Sequence, residues 1–574
     1  MHKGFPIVRG IGIGKIVKID DVFSDDMYTG GSAEKEVEIL QYTIERASDQ
    51  LRELHMRSLD RSDDSFAKVV EIMVSLMEDP EILDGFFREL SSGKNAYESI
   101  VSNVSFYEHK FSSMDSLYYK ERSAVMRDIG QRLVAIILNF DLNPIEDILE
   151  ASIIVAEEIK PSDVIDADTD YVKGMISTYG GETSHTAILC KAAGIPLISG
   201  VEDLSEFVDG KDIILDAIEN KTIIDPDTEI LEKYKIKQER LAAYEAKMVQ
   251  SQPKVLKIGN EEAFVYGNIS SPDDLKHFRK QKPDGIGLYR TEFLFLSRED
   301  VPTEEEQCKA YSEVVEGMKG LPVTFRTIDI GGDKRLSYMD LGHEDNPFLG
   351  YRAIRFCLEE PYVTWFRAQL RAMINCHGKG DIKIMFPMVS TISELQSATA
   401  ILKEEFESLG LNWEERNIKI GIMVEVPSVA VCADQFAPYV DFFSIGTNDL
   451  TQFVLAADRM NPKLKSLYSY FNPAVLRLVK SVIEVGQKHN VEVSLCGEMA
   501  SDPLAIPLLA GFGLREYSVS PPYINRTKHM LKDLKEDKLK EIVDEVMMLS
   551  NHNEVRVYLK SLQKELYGSG MFYL

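Results

Sequence analysis

The sequence predicts a multidomain α/β protein: an α/β domain with an inserted helical bundle, a linker helix, and then a (β/α)8 barrel of the TIM type. Three observations predict it. In the second half, eight short β-branched runs alternate with longer helical patterns, over a span typical of such a barrel. From about Ala33 to Leu142 only helical periodicity occurs, with strand-like runs on both sides. Glu229 to Gln250 reads as one charged helix between the halves. The expected boundaries are 1–32 with 143–228 for the α/β domain, 33–142 for the insertion, 229–254 for the linker and 255–574 for the barrel.

Taken in order, the first strand signal is Ile7 to Ile19, Gly-spaced and β-branched. Strand signals return at Ser152 to Ala156, Ile213 to Asp216 and Thr222 to Ile224. The barrel runs are Phe264 to Asn268, Gly285 to Tyr289, Val323 to Asp329, Ile382 to Phe386, Ile418 to Glu425, Asp441 to Ile445, Val491 to Cys496 and Glu516 to Val519.

The most informative stretch lies in the first half: Gly180-Gly181-Glu182-Thr183-Ser184-His185-Thr186-Ala187-Ile188. Paired glycines let the backbone turn tightly and approach a ligand closely. Thr183 or Ser184 can cap a helix running through Ala187, Ile188 and Leu189. The N–H groups and positive dipole end of that helix favour an anion beside the imidazole, which suits a histidine that carries a phosphoryl group. The same residues read equally well as a capping or core histidine.

Polar residues gather where barrel strands end, the face on which such barrels place their chemistry. Arg290, Arg326, Asp329, Glu425, Asn448, Asp449 and the Cys496-Gly497-Glu498 run all fall there. Arg290, Arg326, Arg355 and Arg459 are forked donors suited to carboxylate and phosphate oxygens. Glu425 and Asp449 are hard oxygen ligands suited to Mg²⁺, which keeps several waters and bridges to substrate phosphate. A phosphorylated carboxylic acid fits both. Cys496 at a strand end can exchange a proton in an electropositive setting; taken alone it reads more simply as a buried structural cysteine.

Composition bounds the function. A chain of 574 residues holds about three domains at ordinary domain sizes. The net charge of −28 argues against nucleic acid and anionic membrane surfaces and favours a basic protein partner. No apolar run approaches the ~20 residues of a membrane span, and the start lacks a signal-peptide core. Six cysteines without a Cys-x-x-Cys pair fit a reduced, cytoplasmic setting.

Beyond single residues, seven segments together resemble the phosphoenolpyruvate-utilising enzymes. They are the Gly-Gly-x-Thr-Ser-His motif at 180–185, Gly287 to Phe293, Arg326 to Lys334, Asn346 to Gly350, Glu425 to Ser428, Gly446 to Gln452 and Cys496 to Ala500. Length and segment order are similar to the enzyme I branch of that family, which serves the sugar phosphotransferase system. The resemblance implies that His185 is phosphorylated and that Cys496 protonates the enolate. It implies Mg²⁺ on Glu425 and Asp449, and phosphoenolpyruvate on Arg290, Arg326, Asn448, Asp449 and Arg459, with Lys334 and Arg355 close by. It implies a homodimer through the barrel. It also implies docking of HPr, the histidine-containing phosphocarrier protein, on the helical insertion, where Tyr119 to Arg122 and Arg127 to Gly130 look like the family's signature.

The chain departs from the family pattern at Val8-Arg9, Ile72-Met73, Val164 and Cys190-Lys191, all in the histidine-bearing half. These leave open a paralogous phosphotransferase with a different carrier. A synthase- or dikinase-like enzyme is the other alternative, although nothing before Gly180 has the length for a nucleotide-grasp domain. A non-catalytic sensor would not need Cys496 as a proton donor.

Overall fold

The computed structural model describes residues 4–19, 28, 30–59, 64–113, 117–138, 145, 148–181, 184–250, 255–296, 298, 300–332, 336, 338–339, 342, 344–459, 461–464, 466–532 and 534–567. Two compact units divide at Ala243 and Tyr244, inside the linker helix.

The first unit opens with strands β1 (Phe5–Val8) and β2 (Ile11–Ile19). Helices α1 (Ala33–Leu59), α2 (Asp64–Met77), α3 (Pro80–Ser91), α4 (Ala96–Ser112) and α5 (Leu117–Leu138) follow. The chain continues through β3 (Ser152–Glu158), α6 (Pro161–Asp166), β4 (Val172–Tyr179), α7 (His185–Ala193), β5 (Leu197–Ser199), β6 (Asp212–Asp216), β7 (Lys221–Ile224) and the linker helix α8 (Thr228–Gln250). The seven strands form one sheet in the order β1-β5-β4-β3-β2-β6-β7, with β2 to β5 parallel to their neighbours within that group.

Alternation along β3 sorts the core. Ile153 and Val155 pack with Ile16, Ile176 and Leu215 on one face; Ile154 and Ala156 face the helices on the other. The single strand signal at Ile7 to Ile19 is two strands. Gly10, at φ 151°, makes the break, and a Cβ there would stand 2.5 Å from the Pro196 ring. The strand β4 was not among the sequence signals, because Lys173 and Gly174 interrupt its apolar run. Gly174 is required by packing: a Cβ there would meet Leu215 at 2.4 Å. The first half of α8 is anchored on this sheet, with Tyr234 in a cluster with Ile11 and Ile214 and Lys237 paired to buried Asp216 at 2.6 Å.

The second unit starts with a small hairpin, β8 (Lys257–Ile258) and β9 (Glu261–Glu262). Its eight main strands are β10 (Phe264–Ile269), β11 (Ile286–Arg290), β12 (Val323–Arg326), β13 (Ile382–Phe386), β14 (Lys419–Val424), β15 (Phe442–Ile445), β16 (Glu492–Leu495) and β17 (Glu516–Val519). They form a closed parallel barrel, sealed where Phe264 pairs with Glu516. All eight predicted runs are strands of it. From β10 to just after β15 the helices around it are α9 (Leu275–Lys280), α10 (Phe293–Leu296), α11 (Glu304–Gly317), α12 (Ile354–Cys357), α13 (Val363–Ile374), α14 (Ile392–Ser408), α15 (Pro427–Val431), α16 (Ala433–Phe436) and α17 (Thr447–Leu455). Inside, Leu288, Met385, Met423 and Phe442 form an apolar plug that ends at Cys496. Among the described residues, no helix is long and apolar enough to cross a membrane.

Candidate active site

The barrel rim carries a buried lattice of arginines and carboxylates. Arg326, the last residue of β12, is ion-paired to Glu292 just beyond β11 and to Asp329 at 3.1 Å. Asp329 accepts in turn from Arg352, whose Nε and Nη2 lie 2.9 and 3.1 Å from its two oxygens. The same Nη2 also reaches Asp449, near the start of α17, at 3.2 Å, and Nη1 lies 3.5 Å from its other oxygen. Arg352 and Arg459 both lie against the ring of Phe348, 5.9 and 5.7 Å from its centre, and Arg459 stands 4.0 Å from Asp449. Arg290 ends β11. Burial, followed by the charge of Arg326, holds its guanidinium below the usual arginine range, so an anion beside it would relieve a real electrostatic cost.

Glu425 closes the rim. It is fully buried, its Oε1 accepts the Met388 N–H at 2.7 Å, and its Oε2 has no hydrogen-bond partner. Burial first, then Asp449 and Asp329, push its carboxyl up to about 7. Gly446 leaves space beside it: a Cβ there would stand 3.1 Å from that Oε2. Among the described residues no group of three or more His, Cys, Asp or Glu side chains forms a ready metal cage. An open carboxylate oxygen beside Asp449 nonetheless fits a hard cation that takes two protein oxygens and completes its shell with water and substrate.

Asn448 is held from two sides: its Oδ1 accepts the Glu498 N–H, in the turn after β16, at 3.1 Å, and its carbonyl accepts from the Tyr468 hydroxyl at 2.9 Å. Gly497 permits this approach, since a Cβ there would be 2.0 Å from Thr447 Oγ1. Cys496 lies beneath. Burial pushes its thiol up; Ser444, Arg326 and Arg290 pull the other way without winning. The setting expected to be electropositive therefore keeps the sulfur protonated, as an acid rather than a nucleophile.

In the first unit, Ser184 caps α7, its Oγ accepting the Ala187 N–H at 3.2 Å, and His185 is the first helical residue. Gly180, at φ 125°, makes the preceding turn, and Gly194 at φ 68° ends the helix. Thr186 Oγ1 donates to the Ile159 carbonyl at 2.8 Å, tying α7 to the loop after β3. Val164 is buried in α6; Cys190 is buried with its sulfur 3.8 Å from Met175 Sδ, and burial pushes its thiol up to about 12. Beside them burial pushes the Asp163 carboxyl up to about 7, with Lys160 opposing and Asp128 adding to it. Lys191 is exposed on the last turn. In the Arg127 to Gly130 segment, Arg127 pairs with Glu108 and Glu158, and Asp128 accepts the Ser162 hydroxyl at 2.9 Å. Those two side chains bind α5 to its own unit.

The structure thus brings Arg326, Glu425, Asp449, Arg459 and Cys496 to one rim, with Arg290 and Asn448 at their strand ends. Arg355 Nη1 donates to the carbonyls of Leu349 and Gly350 at 2.9 and 2.8 Å, shaping that loop. The arginine of this segment that enters the lattice is Arg352, which sequence reasoning passed over, as it passed over Glu292. An Arg-x-x-Arg pair signals that one member faces inward, but not which. Lys334, Thr183 and Glu182 lie outside the described residues. So do the side chains of Tyr119, Lys120 and Glu121.

Three family models match the chain in order: the N-terminal domain of phosphoenolpyruvate-utilising enzymes over residues 3–122, their mobile domain over 148–220 and their phosphoenolpyruvate-binding domain over 243–536. Barrel, rim and model order define the class of phosphoenolpyruvate-utilising enzymes. The phosphoenolpyruvate-protein phosphotransferase of Bacillus subtilis (strain 168) is 38% identical over 569 residues, covering 98% of this chain and 99% of that protein. Those of Geobacillus stearothermophilus and Staphylococcus carnosus (strain TM300) are each 38% identical, over 97% and 96% of this chain and 97% of each relative. The chain belongs to the phosphoenolpyruvate-protein phosphotransferase family.

Proposed function

We propose that this chain transfers the phosphoryl group of phosphoenolpyruvate to its own His185 and then to the histidine of HPr. Pyruvate is released, and the reaction is the first step of sugar uptake by the phosphotransferase system. The rim lattice supports this reading: arginines around a buried carboxylate with an open oxygen, above a thiol that keeps its proton.

Arg290, Arg326, Asn448 and Arg459 would hold the phosphate and carboxylate oxygens, with Arg352 and Asp329 fixing the frame; Lys334 joins them by resemblance alone. Glu425 and Asp449 would hold Mg²⁺, which when bound supplies charge neutralisation at the phosphoryl oxygens. As the P–O bond to the enolate breaks and a P–N bond to His185 forms, Arg290 and Arg326 offset the charge left on the enolate. Cys496 then gives its proton to the methylene carbon, and the thiolate left behind sits beside the same two arginines.

The work is divided as the sequence was: 1–32 with 143–228 carries His185, 33–142 docks the carrier, 229–254 links, and 255–574 holds substrate and forms a homodimer. One histidine cannot occupy the barrel mouth and the carrier at once, so the linker must let it travel. Incubation with phosphoenolpyruvate, Mg²⁺ and HPr tests the relay, by acid-labile, alkali-stable phosphate on each protein. Label on this chain that never passes to HPr points to a different carrier; no label on this chain overturns the reading.

A further inference from the structure

We infer that Gln369 is a positioning residue for the phosphoenolpyruvate site, acting from outside the barrel through Thr291 on the end of β12. The inference rests on the proposed substrate site. Gln369, on α13, is fully buried and touches none of the rim arginines or carboxylates by a hydrogen bond. Its amide is nevertheless fully engaged. Oε1 accepts the Ile328 N–H at 2.9 Å; Nε2 donates to Thr291 Oγ1 at 3.1 Å and to the Tyr311 hydroxyl at 3.3 Å.

These bonds fix the direction of every proton. Ile328 N–H is a donor only, so the amide oxygen must face it and the nitrogen must face Thr291. Thr291 then donates its own hydroxyl proton to the Arg326 carbonyl at 2.8 Å. Tyr311, having accepted from Gln369, donates to Gln307 Oε1 at 3.2 Å on α11.

The consequence falls on three residues. The strand β12 ends at Arg326, three residues short of Asp329, where the predicted run ends. Thr327 N–H makes the last ladder bond, to the Met385 carbonyl at 3.0 Å, and on either side of it the backbone is held by side chains: Arg326 C=O by Thr291 and Ile328 N–H by Gln369. This turn launches Arg326 on one side and Asp329 on the other, the two groups that organise the rim. A shift of well under an ångström there misplaces both.

The test uses the full chain, with Gln369→Met (similar volume, no hydrogen bonds), Thr291→Val (same shape, no hydroxyl) and Thr291→Ser (hydroxyl restored). Phosphorylation by phosphoenolpyruvate and the return of phosphate from phospho-HPr to His185 are both measured. Gln369→Met and Thr291→Val are each expected to lower kcat/KM for phosphoenolpyruvate about tenfold, in line with one or two buried hydrogen bonds lost. Thr291→Ser is expected to recover most of it. The double variant should be little worse than either single one, because both act on one path. Phospho-HPr should load His185 at the unaltered rate. If both variants keep their kcat/KM, or if the two losses simply add, Gln369 is only packing and the inference fails. If Gln369→Met does not fold, the Thr291 pair decides alone. A wild-type chain that takes no phosphate from phosphoenolpyruvate condemns the substrate site itself, a result distinct from either.

Discussion

Arg352 joins Asp329 to Asp449 with one guanidinium, spanning the ends of β12 and β15 in a site from which solvent is nearly absent. Burying three charges is costly unless each is paired with good geometry, and here the planar fork supplies it. The lattice therefore holds the two carboxylates in place before substrate arrives.

Arg352→Lys keeps the charge and loses the fork. Phosphorylation by phosphoenolpyruvate is expected to fall about tenfold or more, with a loss of stability of about 1–3 kcal/mol, since a lysine cannot serve both carboxylates. Initial rates and denaturant unfolding of the same variant check it. Unchanged rates would reduce Arg352 to scaffolding.

Glu425→Gln and Asp449→Asn each remove one charged oxygen from the cation position. Each is expected to lower phosphorylation by more than about a hundredfold while the barrel stays folded. Magnesium titration of the rate separates this from a folding defect, because a weakened ligand set shifts the midpoint. Full activity at low Mg²⁺ would remove that residue from the metal site.

How much of this was legible in the sequence differs by element. The eight barrel strands stood out because each is short, mostly buried and built around apolar or β-branched residues, and because they recur between longer helical patterns. β4 is equally central but carries Lys173 and Gly174, and the need for Gly174 lies across the sheet at Leu215, which no local pattern reveals. Glu425 and Cys496 were legible because they directly follow strand ends, and Asp449 because it lies in the first turn of the helix after β15. Arg352 was not: it follows a long connection, and only tertiary contact distinguishes it from Arg355. Gln369, on a helix outside the barrel, reads as an ordinary polar residue until Thr291 is seen beside it.

Cys496→Ala is expected to slow pyruvate formation by about a hundredfold or more while phosphate still reaches His185 in a single turnover, since protonating the enolate is a separate proton transfer. Rapid-quench measurement of both products checks it. Equal rates for both products, at the wild-type value, would leave Cys496 as packing.

Asp163 gives a pH dependence in the other unit. Its carboxyl lies at about 7 when folded, against 3.8 as its ordinary value. Between those values the folded chain holds a proton that the unfolded chain has lost, so stability falls as pH rises from about 4 to about 7 and levels off above. Asp163→Asn keeps an oxygen for the Lys160 N–H, which Asp163 accepts at 2.8 Å, and cannot ionise. It is expected to flatten that slope and to gain on the order of a few kcal/mol at pH 8 relative to wild type. Denaturant unfolding at pH 5 and pH 8 reads the difference; equal slopes in both proteins would refute it.

The most direct test of the account needs neither carrier nor variant of the barrel. Wild-type chain and His185→Ala are each mixed with labelled phosphoenolpyruvate and Mg²⁺, and bound phosphate and released pyruvate are counted. The account predicts about one acid-labile, alkali-stable phosphate per wild-type chain, mapped to the peptide holding His185, with one pyruvate released for each. It predicts no bound phosphate on His185→Ala. Phosphate retained by His185→Ala, or pyruvate released by wild type without phosphate on His185, would contradict it.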